Sequence, residues 1–385
     1  MKIFLNLLAG TTGGQVTRAK ALLDRIKDNN SGIKLVVVKD HNLLKEYQTS
    51  AQIEIINVHL GNDRFKIFNR FWWETFSMPS FVRESEADIF ITFSHFLPYR
   101  KFDIPTFVGV SNLAPFSAIA LNEESAFTRS KFKLLRKTIL SSVKRATAVM
   151  ALSYTAEKVL TKHGVPAQKI VVIPIGVDDF WCAPSEKAMI LKGIGISTPF
   201  YLYVSHFYRY KNHLRLIDAY SKLPSSIQMQ KKLVLVGKFE NLGYIDEIKK
   251  LIESKNLEDK VLLKSGQDML TLRALYQSTD LFIFPSLVEN CPNILLEAMA
   301  AGAPVATINI APMTEYCEEA AVYFDGMSAF DIARAIREFS INPSKTDLMR
   351  VSSKQRANNY SWDMFVNMII IEARKIISLS NKIYI

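Results

Sequence analysis

The chain has 385 residues, a formal net charge of +11, 49% hydrophobic and 22% charged residues. That length exceeds what one core usually supports, so two domains are expected, and the composition is that of an ordinary globular protein. No window reaches 18 uninterrupted apolar residues, and the apolar start Ile3 to Ala9 is too short for a span and lacks a small-residue cleavage site, so it reads as a first buried strand of a cytoplasmic protein.

Three widely spaced cysteines, Cys182, Cys291 and Cys317, indicate neither a disulfide framework nor a zinc site, and no metal is expected. The charge is uneven. Up to Ile175 there are 24 Lys and Arg against 14 Asp and Glu, so +10 of the formal +11 lies in the N-terminal half. A basic half suits a phosphate-rich partner, nucleic acid or an anionic membrane surface; a solvated surface that is merely basic is the plainer alternative.

In chain order, Lys2 to Ala9 leads through Gly10-Thr-Thr-Gly13-Gly14 into an amphipathic helix from about Gln15 to Ile26. Strand, glycine turn and helix let backbone amides approach a phosphate, although the G-x-G-x-x-G order is absent. Short strands at 34–38, 53–57, 89–93, 106–110 and 148–151 then alternate with helical segments, which means a parallel sheet with crossover helices. Between them, Phe65 to Val82 contains Phe71-Trp72-Trp73 and Phe76 amid Arg64, Lys66, Arg70 and Arg83. Such a stretch stacks nucleobases, lies at a bilayer surface, or packs one helical face into the core.

Lys169 to Asp178 reads as a strand stopped by Pro174 and Gly176, a domain break. A second α/β series follows, with strands at 200–205, 232–236, 261–263, 281–284, 305–308 and 321–324. After its first strand, Arg209 and Lys211 stand before a helix, where cations suit a diphosphate. The apolar run Leu281 to Phe284 ends at Pro285-Ser286, and a helix begins near Asn293. Glu289 therefore stands in the loop and Glu297 one turn inside the helix, at the carboxyl end of the sheet.

Glu289-x7-Glu297, Ala298-Met299-Ala300 and Gly302-Ala303-Pro304-Val305 resemble the signature of family four of the retaining GT-B glycosyltransferases, the glycosyl transferases of group 1. The resemblance implies two Rossmann-like domains with parallel sheets facing across a cleft. It sets an acceptor domain at 1–175, a nucleotide-sugar donor domain at 176–360, and a last helix at 361–385, opened by Tyr360-Ser-Trp362, that returns to the first domain.

It also implies roles. Glu297 binds the ribose hydroxyls, Glu289 holds a sugar hydroxyl and favours the charged anomeric carbon, and Lys211 stabilises the leaving phosphate. Gly13 and Gly14 face the diphosphate, while Asn290, Cys291, Asn293, Ile294 and Gly266 border the donor. Four departures stand out. Ser205-His206 replace the family's Gly-Arg, so Arg209 or a protonated His206 supplies the missing cation. Ser111, with Asn112 after it, stands where many members have a His that contacts the sugar, and both become acceptor-side candidates; His95 is a spare. Pro292 replaces a glycine that donates an N–H, and Ile175 replaces an Asn in the hinge. Without an evident enzyme nucleophile, transfer by front-face attack is expected, with no cofactor. The expected partners are a nucleotide-sugar donor, a saccharide or lipid-linked acceptor in lipopolysaccharide, O-antigen or capsule assembly, and a peripheral contact with an anionic membrane, with no nucleic acid. The second class is a non-catalytic nucleotide-sugar or nucleic-acid binding protein; Glu289, Glu297 and Lys211 together favour the enzyme.

Overall fold

A computed structural model describes residues 1–9, 13–27, 32–61 and 65–383; Gly10, Thr11 and Thr12 of the glycine turn, and Arg64, lie outside the described residues. The chain forms two compact units. Met1–Phe116, Ser130–Gly176 and Trp362–Ile385 make the first, and Ser117–Arg129 with Val177–Ser361 make the second. The break therefore falls at Gly176, and the last helix belongs to the first unit. Residues 117–129 cluster with the second unit although sequence order sets them in the first half.

The first unit is built on seven parallel strands: β1 Lys2–Asn6, β2 Lys34–Asp40, β3 Ile53–Val58, β4 Ile89–Thr92, β5 Thr106–Gly109, β6 Ala148–Ala151 and β7 Ile170–Val172. Their order is β3-β2-β1-β4-β5-β6-β7, with Phe4 opposite both Val36 and Phe90. Strands covered on both faces need apolar residues at every position, and Phe4, Val36, Val38, Phe90, Val108 and Val149 share one cluster. The Gly14–Lys27 helix buries Ala19, Leu22, Leu23 and Ile26, one stripe at helical spacing. The terminal Trp362–Ile383 helix packs against it, burying Phe365, Ile369, Ala373 and Ile376 and pairing Asp363 with Arg25 at 2.6 Å.

One helix of this unit breaks the pattern. Lys66–Phe76 fully buries only Glu74, whereas Phe65, Phe68, Phe71, Trp72 and Phe76 are exposed. Core packing accounts for Trp73 and Phe81, which stack at 5.4 Å against the main cluster, and not for the rest of the aromatic stretch.

The second unit has six parallel strands: β8 Phe200–Val204, β9 Lys232–Val236, β10 Val261–Lys264, β11 Leu281–Phe284, β12 Val305–Ile308 and β13 Ala321–Phe324. The order is β10-β9-β8-β11-β12-β13. Strand order reverses between β1 and β4 in one sheet and between β8 and β11 in the other, and open α/β sheets bind ligands beyond the carboxyl ends of strands at such points. Among the described residues no helix is long and apolar enough to cross a membrane.

Candidate functional site

The second unit's switch point carries the charged residues. Strands β8 and β11 are direct neighbours, with Leu281 opposite Tyr201, so the loops that leave them run side by side. Lys211, from the loop after β8, and Glu289, from the loop after β11, meet there: Lys211 Nζ donates to Glu289 Oε1 at 2.6 Å. Sequence reasoning named both residues, and the fold brings them together across 78 positions.

The Lys211 loop is held from several sides. Arg209–Lys211 is a single 3₁₀ turn, followed by Asn212 in the left-handed region at φ 67° and by the His213–Ser221 helix. Asn tolerates that conformation, and its amide donates to the carbonyls of Pro285 and Gly326 at 3.2 and 2.8 Å. Tyr203 Oη donates to the Lys211 carbonyl at 2.8 Å, and the Leu287 N–H to that of Tyr210 at 2.9 Å, tying the two loops together. Burial raises the pKa of Glu124, in the 117–129 segment packed against this turn, and the facing backbone N–H groups of Tyr210 and Arg209 oppose the shift. Of these supports only Asn212 had a sequence signal, an Asn just before a helix; nothing local marks Glu124, which comes from a distant part of the chain.

Arg209 and His206 go elsewhere. The Arg209 guanidinium pairs with Glu247 and lies 5.3 Å over the Tyr244 ring, so the structure does not bring it to the Lys211–Glu289 pair. His206 Nδ1 is 3.7 Å from Glu240, to which Tyr208 Oη also donates at 3.1 Å. Burial lowers the pKa of His206 more than Glu240 raises it, which favours the neutral ring over a replacement cation.

Beyond Glu289 the loop enters the Asn293–Ala300 helix, preceded by Pro292, and no side chain caps its N-terminus. Pro292 presets the entry but offers no N–H. Asn290 is buried, Asn293 and Ile294 are partly exposed, and Cys291 Sγ donates to Tyr316 Oη at 2.9 Å. The helix closes on Gly302, at φ 79°, in a Schellman arrangement: Ala303 N donates to Ala298 O and Gly302 N to Met299 O, both at 2.9 Å. The Gly302-Ala-Pro stop is thus a cap that fixes helix length. Glu297 stands one turn inside, and burial pushes its carboxyl up to about 7, with the Tyr276 hydroxyl opposing the shift. Tyr276 is a further neighbour of the site that the motif did not reveal.

Two glycines shape the floor. A Cβ on Gly237 would sit 1.8 Å from the Ser205 carbonyl oxygen, so only glycine lets the loops after β8 and β9 approach; on Gly266 it would lie 3.2 Å from Lys238 Cγ. In the first unit, Gly13 takes φ 70° and Gly14 opens the Gly14–Lys27 helix just past β1. Ser111 Oγ donates to Phe93 O at 2.7 Å while accepting from Arg18, and Asn112 Oδ1 accepts from Ala114 N at 2.9 Å, so both candidates serve local structure. Burial lowers His95 to about 4. Among the described residues no three His, Cys, Asp or Glu side chains converge as a metal-ligand set.

Comparison with known proteins agrees with this arrangement. Residues 12–179 match the model described as Glycosyltransferase Family 4, and residues 191–358 the one described as Glycosyl transferases group 1. The serotype-specific mannosyltransferase WbdA of Escherichia coli is 25% identical over 271 residues, 68% of this chain and 33% of WbdA, so the chain spans about a third of that relative. The O-antigen chain mannosyltransferase B of Escherichia coli is 22% identical over 61% of this chain and 62% of its own length. The structure of Anabaena Alr3699/HepE in complex with UDP-glucose superposes with a TM-score of 0.75 at 18% identity, covering 97% of this chain and 100% of that one. With one family model on each unit and that shared fold, the chain carries both halves of the GT-B, group 1 glycosyltransferase architecture.

Proposed function

We propose that this protein is a retaining glycosyltransferase that moves a hexose from a nucleoside-diphosphate sugar to a saccharide or lipid-linked saccharide acceptor in cell-surface polysaccharide assembly. The Lys211–Glu289 pair at the β8/β11 switch point carries the reading. Cleaving the bond between the anomeric carbon and the diphosphate oxygen puts negative charge on the leaving group, and Lys211 with the uncapped N-terminus at Asn293 lies where that charge would be met. Glu289 is suited to hold a sugar hydroxyl and to favour the positive anomeric carbon, and Glu297 to accept from the ribose hydroxyls. The acceptor hydroxyl then bonds to the anomeric carbon from the face the phosphate leaves, and its proton passes to the departing phosphate oxygen.

The matched relatives act as mannosyltransferases, one of them on O-antigen chains, and the matched structure binds UDP-glucose, which supports a hexose donor and a polysaccharide product. The acceptor is assigned to the first unit, whose basic excess suits an anionic lipid surface on the cytoplasmic side, with the protein peripheral to it. Turnover screened across nucleotide sugars, with the anomeric configuration of the product read by NMR, tests the reading. A single preferred donor and a retained configuration are expected; an inverted product rejects the mechanism, and binding without turnover on any acceptor rejects the enzyme.

A further inference from the structure

The Lys66–Phe76 helix is turned inside out for a helix on a soluble domain. Its innermost residue is Glu74, with no exposed surface, whose Oε1 accepts from Asn6 Nδ2 at 2.8 Å at the end of β1. Its Oε2 lies 3.5 Å from Arg70 Nε, an ion pair without a hydrogen bond, and burial raises the carboxyl to about 7. The outer face is aromatic. Phe65, Phe68, Trp72 and Phe76, spaced three, four and four apart, form one stripe and expose 59, 62, 55 and 44% of their surface. Their rings touch in a row, Phe68 stacked on Trp72 at 6.4 Å and Trp72 tilted against Phe76 at 4.3 Å, with Ile67 and Tyr99 also exposed nearby.

Burying a carboxylate costs free energy, and so does leaving four aromatic rings in water. Rotating the helix by half a turn would relieve both costs, but the Asn6–Glu74 bond and the packing of Trp73 hold it as it is. The outer face thus fits a surface that accepts aromatic rings beside cations. Arg100 lies 5.5 Å over the Phe76 ring with Lys101 exposed next to it in the chain, the one acid within the helix is the buried Glu74, and the first half of the chain carries +10 of the formal +11, although Glu84, Glu86 and Asp103 are exposed in the neighbouring segments. At eleven residues the helix is about 16 Å long, far short of a span, and suits a position in the plane of an interface.

We propose that Lys66–Phe76 is an interfacial helix whose Phe65, Phe68, Trp72 and Phe76 stripe enters the headgroup boundary of an anionic lipid surface, with Arg100 and Lys101 at the phosphates and Glu74 as the buried pin that sets its rotation. This rests on the reading that the acceptor is presented at a membrane and names the part of the protein that meets it. A protein partner would use the same aromatics, but cations flanking an aromatic stripe match lipid phosphates and acyl chains together.

The test is flotation of the full chain with vesicles of phosphatidylcholine alone or mixed with phosphatidylglycerol. Expected are binding to the anionic vesicles that weakens as salt rises, at least a tenfold loss in the double variant Phe68→Ser/Trp72→Ser although net charge is unchanged, and a separate loss in Arg100→Glu/Lys101→Glu. Trp72 emission should shift to the blue on anionic vesicles, the shift vanishing in Trp72→Phe. An unchanged melting temperature and unchanged transfer to a short water-soluble saccharide show that the Ser variant is folded. Wild-type protein that stays with neither vesicle, or a double variant that binds like wild type, overturns the proposal. So does a dimer in solution that the double variant converts to monomer without any vesicle binding, which would make a second copy the occupant. Transfer activity on the soluble saccharide without vesicle binding sinks this inference alone; vesicle binding without transfer on any acceptor sinks the proposed enzyme and leaves the helix assignment standing.

Discussion

Lys211 and Glu289 face one another at 2.6 Å with only 12% and 13% of their side chains exposed, so each holds the other's charge out of bulk water at the end of the β8/β11 crevice. A diphosphate entering beside Lys211 competes with Glu289 for the ammonium, which couples donor binding to the freedom of the carboxylate.

Lys211→Met should lower kcat by about 10²–10³-fold, the usual cost of removing one donor to developing charge. It should also destabilise the fold by about 1–3 kcal/mol, because Glu289 is left without its partner. Adding Glu289→Gln to Lys211→Met removes the stranded charge, so the melting temperature should recover while kcat does not. A double variant that regained turnover along with stability would reduce the pair to a structural role.

Glu297 gives a pH prediction. Its folded carboxyl stands at about 7 against 4.5 for a free one, so the folded state binds the extra proton between those values. The associated stability is complete below about 4.5 and is lost as pH rises through about 7. Wild type should therefore lose melting temperature over that window relative to Glu297→Gln, whose profile is flatter. Nucleotide binding should run the opposite way, since the ionised carboxylate is the stronger acceptor for ribose hydroxyls: affinity should fall as pH drops below about 7 in wild type, level off once the carboxyl is protonated, and stay flat in the variant. Calorimetry at several pH values reads both; pH-independent nucleotide affinity in wild type would remove Glu297 from the ribose.

Strands were legible because a two-face-buried parallel strand needs an unbroken apolar run. Ala148–Ala151, Lys232–Val236, Leu281–Phe284, Val305–Ile308 and Ala321–Phe324 coincide residue for residue with their expected limits. Lys211, Glu289 and Glu297 stand out through the resemblance to the family signature, and their placement at strand ends and helix starts is local. Side-chain direction was not legible. Arg209 is two residues from Lys211, yet the 3₁₀ turn sends it to Glu247 and Tyr244. The 65–76 stretch is apolar on more than one face, so its periodicity could not say that Glu74 turns inward. Residues 117–129 carry no composition shift that would assign them to the second unit.

Arg209 and His206 can be separated from Lys211 by mutation. Arg209→Ala breaks a partly exposed ion pair with Glu247, a loss of about 0–1 kcal/mol in stability, and removes no group from the Lys211–Glu289 contact. Turnover should fall less than tenfold, against the much larger loss in Lys211→Met. A loss in Arg209→Ala equal to that in Lys211→Met, measured as kcat with saturating donor, would return Arg209 to the diphosphate.

Leaving-group charge is assigned to Lys211 and to the Asn293 helix start, so activity should not require a divalent cation. Turnover after dialysis against a chelator should equal that with added Mg²⁺; a rate restored only by the metal would mean that the ion carries part of that charge.

Glu124 supplies the last prediction, because it acts on Lys211 from outside the motif. Its carboxyl faces the backbone N–H groups of Arg209 and Tyr210, in the turn whose geometry aims the Lys211 side chain. Glu124→Ala leaves those N–H groups unpaired in a nearly closed environment, a cost of about 1–3 kcal/mol, and lets the turn drift. Since transition-state stabilisation depends on position more steeply than ground-state binding does, kcat should fall more than donor KM rises. Glu124→Gln keeps an amide oxygen as acceptor and should restore most of both stability and kcat. The decisive comparison is with Lys211→Met: if Glu124 works through Lys211, then Glu124→Ala added to Lys211→Met should cost no further turnover, although it still lowers the melting temperature. Full additivity of the two losses in kcat would show that Glu124 supports some other part of the site.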